Sequence, residues 1–195
     1  MNKRFLGVTL AGVVLGALLY VSGVGNLAAS LFEGGGASDN FVLLETDQGN
    51  IKIQLHHQEA PKLSRNFLLL AKDGKYDRTI FHRVINGFMI QGGDYENMDG
   101  TGGRSVEGTP LEDEFSDTLS HVRGAVSMAN RGPNTNASQF FIVHEDATFL
   151  DGRHSIIGQV VSGMDVVDRV ASVKTDINDR PLKEVFIRRA SGQKE

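Results

Sequence analysis

The sequence contains no cysteine and no tryptophan, and only 4 of its 195 residues are proline. Without cysteine there is no disulfide, no thiolate metal site and no cysteine nucleophile, so the fold rests on its core in any redox compartment. Proline is too scarce for a collagen-like or low-complexity chain, and the 23 glycines follow no period, so they read as turn and loop positions. A basic excess is missing too. The 20 Lys and Arg stand against 24 Asp and Glu, a formal charge of −4, without the basic face that a phosphate backbone requires. No GxSxG, HExxH or Walker-type phosphate loop occurs, which leaves hydrolase and nucleotide-binding readings without support. What is present, 40% hydrophobic and 23% charged residues, suffices for one well-packed domain.

Charge is also absent from one long run. Phe5 to Val24 carries only Thr9, Tyr20 and Ser22 as polar side chains, and as a helix it would span about 30 Å, the thickness of a hydrocarbon core. Two readings stand: an uncleaved membrane anchor, favoured by length, or a signal peptide cut near Ala28-Ala29-Ser30, which would release a secreted protein. Lys3 and Arg4 precede the run and Glu33 is the first charge after it. The positive-inside rule therefore puts the N-terminus in the cytoplasm and the remainder on the periplasmic or extracellular side. Gly12 and Gly16 have the spacing of a helix-pairing motif, a weak signal for association of anchors. The division expected is an anchor or signal over 1–32, a flexible tether over 33–40 and one acidic domain over 41–195, itself monomeric.

From Phe41 the pattern becomes period two, and Phe41–Thr46 and Ile51–His56, separated by Asp47–Asn50, predict an opening β-hairpin. Pro61 suits the first turn of a helix with Leu63, Phe67, Leu70 and Ala71 on one face and Gly74 at its end. Further strands are expected at Thr79–Arg83, Phe88–Gln91, Ala125–Ala129, Phe140–Val143, Ser155–Val161 and Leu182–Arg188, with a second helix over Met164–Val173. Many strands and two helices without βαβ alternation predict a mainly antiparallel sheet or closed barrel. Gly92–Phe115, rich in glycine and aperiodic, reads as a long functional or mobile loop.

Three blocks carry a resemblance: Phe81-His-Arg-Val-Ile-Asn-Gly-Phe-Met-Ile-Gln-Gly-Gly-Asp94, Ser127-Met-Ala-Asn-Arg-Gly-Pro-Asn-Thr-Asn-Ala-Ser-Gln-Phe-Phe-Ile142, and Phe149-Leu-Asp-Gly-Arg-His-Ser-Ile-Ile-Gly158. They resemble, in order, the signatures of the cyclophilins, the prolyl cis/trans isomerases, over roughly Phe41 to Arg189, and the short loops are similar to those of prokaryotic members. The resemblance implies a closed eight-stranded antiparallel β-barrel with a helix over each open end. It also implies catalysis of X–Pro rotation in unfolded or newly translocated polypeptides, with no cofactor or metal.

The chemistry of that reaction is simple to state. Amide resonance sets a barrier of about 20 kcal/mol, and the transition state loses that resonance and leaves a lone pair on a pyramidal prolyl nitrogen. The catalyst needs a donor aimed at that nitrogen, a dry pocket for the ring and polar anchors for the flanking peptide. By resemblance Arg83 is the donor, Phe88, Met89, Phe141 and Leu150 form the apolar floor and walls, and His154 stands at the rim. Gln91 and Asn130 hold the substrate backbone beside Ala129. Regular alternation would put Phe88 and Met89 on opposite faces, so a bulge or strand end is needed to bring both to the groove. Phe149 stands where many family members have Trp, and without a ring N–H it is expected to keep isomerisation but weaken cyclosporin binding.

Each residue also has a plainer reading. An isolated Arg is usually a surface or ion-pair residue, and Phe88, Met89, Phe141 and Leu150 would serve equally as core. His154 would then merely pack, and Glu112-Asp-Glu114 reads as a solvated loop. His56 and His57, adjacent on a strand, face opposite ways and do not suit joint metal ligation. Asn136-Ala-Ser138 is a formal glycosylation sequon inside the second block. The alternative to an enzyme is a module that holds proline segments of a membrane complex without catalysing their rotation.

Overall fold

The computed structural model describes residues 39–194. The expected anchor or signal, with Gly12 and Gly16, and nearly all of the tether lie outside these residues. Among the described residues no helix is long and apolar enough to cross a membrane.

Strands β1 (Phe41–Thr46) and β2 (Gly49–Leu55) form the opening hairpin, with Phe41 opposite Gln54 and Thr46 opposite Gly49. Alternation sends Val42, Leu44, Ile51 and Ile53 fully into the core. The turn is tighter than the sequence suggests, because Gly49 at φ +126° lets the chain reverse after Asp47 and Gln48.

Helix α1 (Pro61–Lys72) starts at its proline and buries Leu63, Phe67, Leu70 and Ala71 against the sheet. It ends as a Schellman turn: Gly74, at φ +67°, donates to Ala71 O, and Lys75 donates to Leu70 O. Its N-terminus is capped from far along the chain, the Glu114 carboxylate accepting the N–H groups of Lys62 and Leu63 at 3.1 and 2.9 Å. The acidic run read as a solvated loop is therefore a structural tie. Asp113 joins it by accepting from the Asn136 side chain at 2.8 Å.

The remaining elements are β3 (Thr79–Ile80), β4 (Arg83–Ile85), β5 (Met89–Gly92), β6 (Ala125–Met128), β7 (Phe140–Val143), a 3-10 turn at Thr148–Leu150, β8 (Ile156–Ser162), α2 (Met164–Ala171) and β9 (Phe186–Gln193). They form one nine-stranded sheet in the order β3-β9-β1-β2-β8-β6-β7-β5-β4, antiparallel at each pairing. Its two edge strands, β3 and β4, are consecutive in the chain and joined only by Phe81 and His82, so the sheet must curl to bring its edges together.

The expected closed barrel of eight strands is corrected in two respects. The segment expected as one strand is broken at Phe81 and His82, giving nine strands, and no ladder closes the sheet between β3 and β4. The reason is local: Val84 N–H donates to the carbonyl of Asp179, in a loop, at 2.8 Å, where a neighbouring strand would have supplied the acceptor. The last strand also starts later than expected, because Leu182 belongs to that loop and bonds to Lys174 O.

Alternation along β5, β6 and β7 separates two apolar clusters. Ile90, Val126, Met128, Phe140 and Ile142 join the main core with both helices. Met89, Ala125, Phe141 and Val143 point to the opposite face and form a smaller cluster with Ala147 and Ile156.

Candidate active site

Register builds the site. Arg83 on β4 pairs with Gln91 on β5, Gln91 with Phe141 on β7, and Phe141 with Ser127 on β6. Directly opposed residues share a face, so one row runs from an exposed cation through an amide to an aromatic ring on the outer side of the sheet. Ile85, Met89 and Val143 make the next row. Phe88 precedes β5, in the turn closed by its own N–H to Ile85 O, and lies outside the strand alternation; this is how it and Met89 reach the same groove.

Arg83, Phe88, Met89, Gln91, Ala129, Asn130, Phe141, Leu150 and His154 line a single cleft of about 220 Å³. Phe149 does not line it. Carried by the 3-10 turn, it is 64% exposed and stacks on Phe88 with ring centroids 5.7 Å apart, so it meets the cleft only through that neighbour. Two larger clefts lie on either side. One of about 350 Å³ shares Gln91, Ala129 and Asn130, and one of about 430 Å³ shares Arg83 and Gln91 and runs to Asp176 and Arg180. Of the three, only the smallest is lined by large apolar side chains, Phe88, Met89, Phe141 and Leu150, of the kind that grip a proline ring.

The polar groups are held in set orientations. Arg83 Nε lies 3.5 Å from the Asp179 carboxylate, with both side chains partly exposed, which leaves its outer nitrogens available to a ligand. Asn130 donates to Arg153 O at 2.9 Å. His154 Nδ1 lies 3.1 Å from Met128 O; a carbonyl only accepts, so Nδ1 carries the proton. The His154 ring meets Phe141 edge-on at 5.3 Å.

Two supporting residues carry no signal of their own in the sequence. Gln139 accepts from Gln91 at 3.0 Å and donates to the carbonyls of Gly100 and Gly102 at 2.9 and 2.8 Å, coupling the site to the glycine-rich loop. Asp94, fully buried, accepts the N–H groups of Glu96, Asn97, Asp99, Gly100 and Gly102. Burial pushes its carboxyl up, but these hydrogen bonds outweigh that and hold it below the ordinary carboxylate range. The loop that glycine content marked as functional or mobile is thus stitched to one buried anion. Gly-Gly-Asp94 and Ser-Gln139, inside two of the blocks, are the places where these partners were to be sought. The sequon is unusable in the fold, because Asn136 is fully buried and its amide nitrogen already donates to Leu111 O and Asp113.

Comparison with known proteins agrees with this geometry. Residues 41–191 match the family model described as cyclophilin type peptidyl-prolyl cis-trans isomerase/CLD. Over 150 residues the chain is 49% identical to peptidyl-prolyl cis-trans isomerase ppi1 of Schizosaccharomyces pombe, covering 76% of this chain and 96% of that one. It is 47% identical over 171 residues to peptidyl-prolyl cis-trans isomerase CYP71 of Arabidopsis thaliana, covering 87% of this chain but 26% of that longer protein. Among solved structures, a Cryptosporidium parvum cyclophilin type peptidyl-prolyl cis-trans isomerase, determined in the presence of the dipeptide Ala-Pro, superposes with a TM-score of 0.76 at 35% identity, covering 80% of this chain and 99% of that one. These relatives are eukaryotic and lend no support to the prokaryotic likeness suggested by loop length. The register, the apolar cleft and these matches lead to one conclusion: the chain belongs to the cyclophilin-type peptidyl-prolyl cis-trans isomerases.

Proposed function

We propose that the protein rotates X–Pro bonds of unfolded polypeptides with Arg83 as the transition-state donor. The observation that carries this is the row Arg83, Gln91, Phe141, which sets a guanidinium at the mouth of a cleft floored by apolar side chains. The proline ring enters between Phe88, Met89, Phe141 and Leu150 and sheds water. Gln91 and Asn130 take the flanking peptide groups. As the C–N bond twists, the prolyl nitrogen gains a lone pair, and an Arg83 N–H donates to it. No bond to the protein forms and no proton is transferred, so no nucleophile, metal or cofactor takes part.

Arg83→Ala is expected to lower kcat/KM for a proline tetrapeptide by about 10²–10³, in line with loss of one transition-state donor. Because Arg83 is exposed, stability should change by no more than about 0.5 kcal/mol. Arg83→Lys keeps the charge without the fork and should fall between. Full activity in Arg83→Ala would remove Arg83 from the mechanism.

We also propose that the domain works outside the cytoplasm on newly translocated chains, tethered through the uncharged run Phe5–Val24. The support is that run and its Lys3 and Arg4 flank. The mass of the mature N-terminus tests this directly. An intact N-terminus is expected, whereas a start near residue 31 would make the protein secreted.

A further inference from the structure

Behind the cleft lies a chain of polar groups, none of which lines it. Asp151 follows the turn that carries Phe149 and Leu150. Its carboxylate accepts from the Ser120 hydroxyl at 2.6 Å, the His121 backbone N–H at 2.9 Å and His121 Nδ1 at 2.6 Å. On the other side of the ring, His121 Nε2 lies 2.8 Å from Ser127 Oγ. Burial pushes the Asp151 carboxyl up, but the bonds from Ser120 and His121 outweigh it and keep it ionised. An ionised carboxylate only accepts, so Nδ1 holds the proton, and Nε2 presents its lone pair to the Ser127 hydroxyl. Burial lowers the His121 pKa, with Asp151 opposing and His154 adding to that effect, so the ring is neutral at pH 7.

Asp, His and Ser in this connectivity are the groups of an acyl-transfer triad. That chemistry does not fit here. Ser127 and His121 are both fully buried and neither lines the proline cleft, so no carbonyl can reach the hydroxyl. What the chain does touch is the pocket wall. The His121 ring lies nearly parallel to Phe141 at 15° and 5.9 Å, and Ser127 faces Phe141 across the β6–β7 ladder. Asp151 is bonded in sequence to Leu150. One neutral imidazole therefore ties the floor of the cleft, the turn that forms its side and strand β6.

We infer that His121 is a positioning residue of the isomerase: locked as its Nδ1–H tautomer between Asp151 and Ser127, it sets the spacing of Phe141 and Leu150 and hence the grip on the proline ring. The inference rests on the reading of the cleft given above. The grip acts on the ring before and during rotation, so loosening it weakens ground and transition states alike, while Arg83, at the far end of the row, is unaffected.

In the full chain, His121→Phe keeps a ring against Phe141 and removes both nitrogens. With a proline tetrapeptide, KM should rise about tenfold while kcat stays within about threefold. Unchanged KM and kcat, however far the melting temperature drops, would reduce His121 to a structural role and overturn the inference; so would a fall in kcat at constant KM. If that variant does not fold, Ser127→Ala and Asp151→Asn each cut one end of the chain and should raise KM about threefold. The wild-type chain gives an independent check: 15N NMR of the imidazole should show Nδ1 protonated and Nε2 bare at pH 7, and the opposite tautomer would overturn the inference. Loss of activity in Arg83→Ala alongside indifference to the His121 network would defeat this inference alone, whereas full activity in Arg83→Ala would defeat the reading of the cleft itself.

Discussion

Phe140 and Phe141 are neighbours on β7, equal in size and buried to 0% and 5% exposure, yet they belong to different parts of the molecule. Phe140 points inward, its ring 5.0 Å from Phe67 and 5.4 Å from Tyr76. Phe141 points outward, against His121 and His154, and floors the cleft. Burial does not tell them apart. Their partners do, since the inward ring sits among the core rings of Phe67, Tyr76 and Phe81, and the outward one beside His121 and His154.

The pair can be broken by truncation. Phe140→Ala should cost about 3–5 kcal/mol of stability, read as a denaturant midpoint, because its cavity is closed on all sides. The folded fraction should retain its KM. Phe141→Ala opens onto the cleft, where water can enter, so it should cost less stability and raise KM severalfold. Equal KM values for the two variants would erase the distinction between the faces.

Acid should act more gently and through groups outside this pair. His56, His82 and His121 have pKa values lowered chiefly by burial, so the folded chain takes up fewer protons than the unfolded chain below the ordinary value of 6.5. Their contribution is complete above that pH and is lost as the pH falls through their folded values. Asp94 and Asp151, held down by hydrogen bonds, extend the loss below their ordinary 3.8. Thermal midpoints should be flat from pH 8 to 7 and decline below about 6.5. A rise in midpoint on acidification below 6.5 would contradict this assignment.

The smallest effect belongs to the rim. Phe149, exposed and lacking a ring N–H, should leave cyclosporin a weak inhibitor, and Phe149→Trp should strengthen inhibition with little change in peptide turnover. Submicromolar inhibition of the wild-type chain would contradict this reading.

Periodicity and turn residues made much of the scaffold legible. Pro61, Gly74 and the alternation of β1 and β2 act within a few residues, so sequence order exposes them. Contacts across many residues were not legible. Glu114 caps a helix some fifty positions earlier, Asp179 supplies the carbonyl that replaces a ladder at Val84, and Asp151 meets His121 across 30 positions. The residues that line the cleft were named through resemblance, because nothing in a single strand's pattern distinguishes an outward Phe141 from an inward Phe140. Gln139 and Asp94 were missed for a related reason: their work is done on backbone groups of a loop whose path only the fold reveals.

The smallest of three adjoining clefts should take the proline, and the structure of the full chain with a bound Ala-Pro peptide decides it. The proline ring is expected between Phe88, Met89, Phe141 and Leu150, with the Arg83 guanidinium turned to the prolyl nitrogen. A ring seated in the 350 Å³ cleft beyond Gln91 or the 430 Å³ cleft beside Asp176 would contradict it.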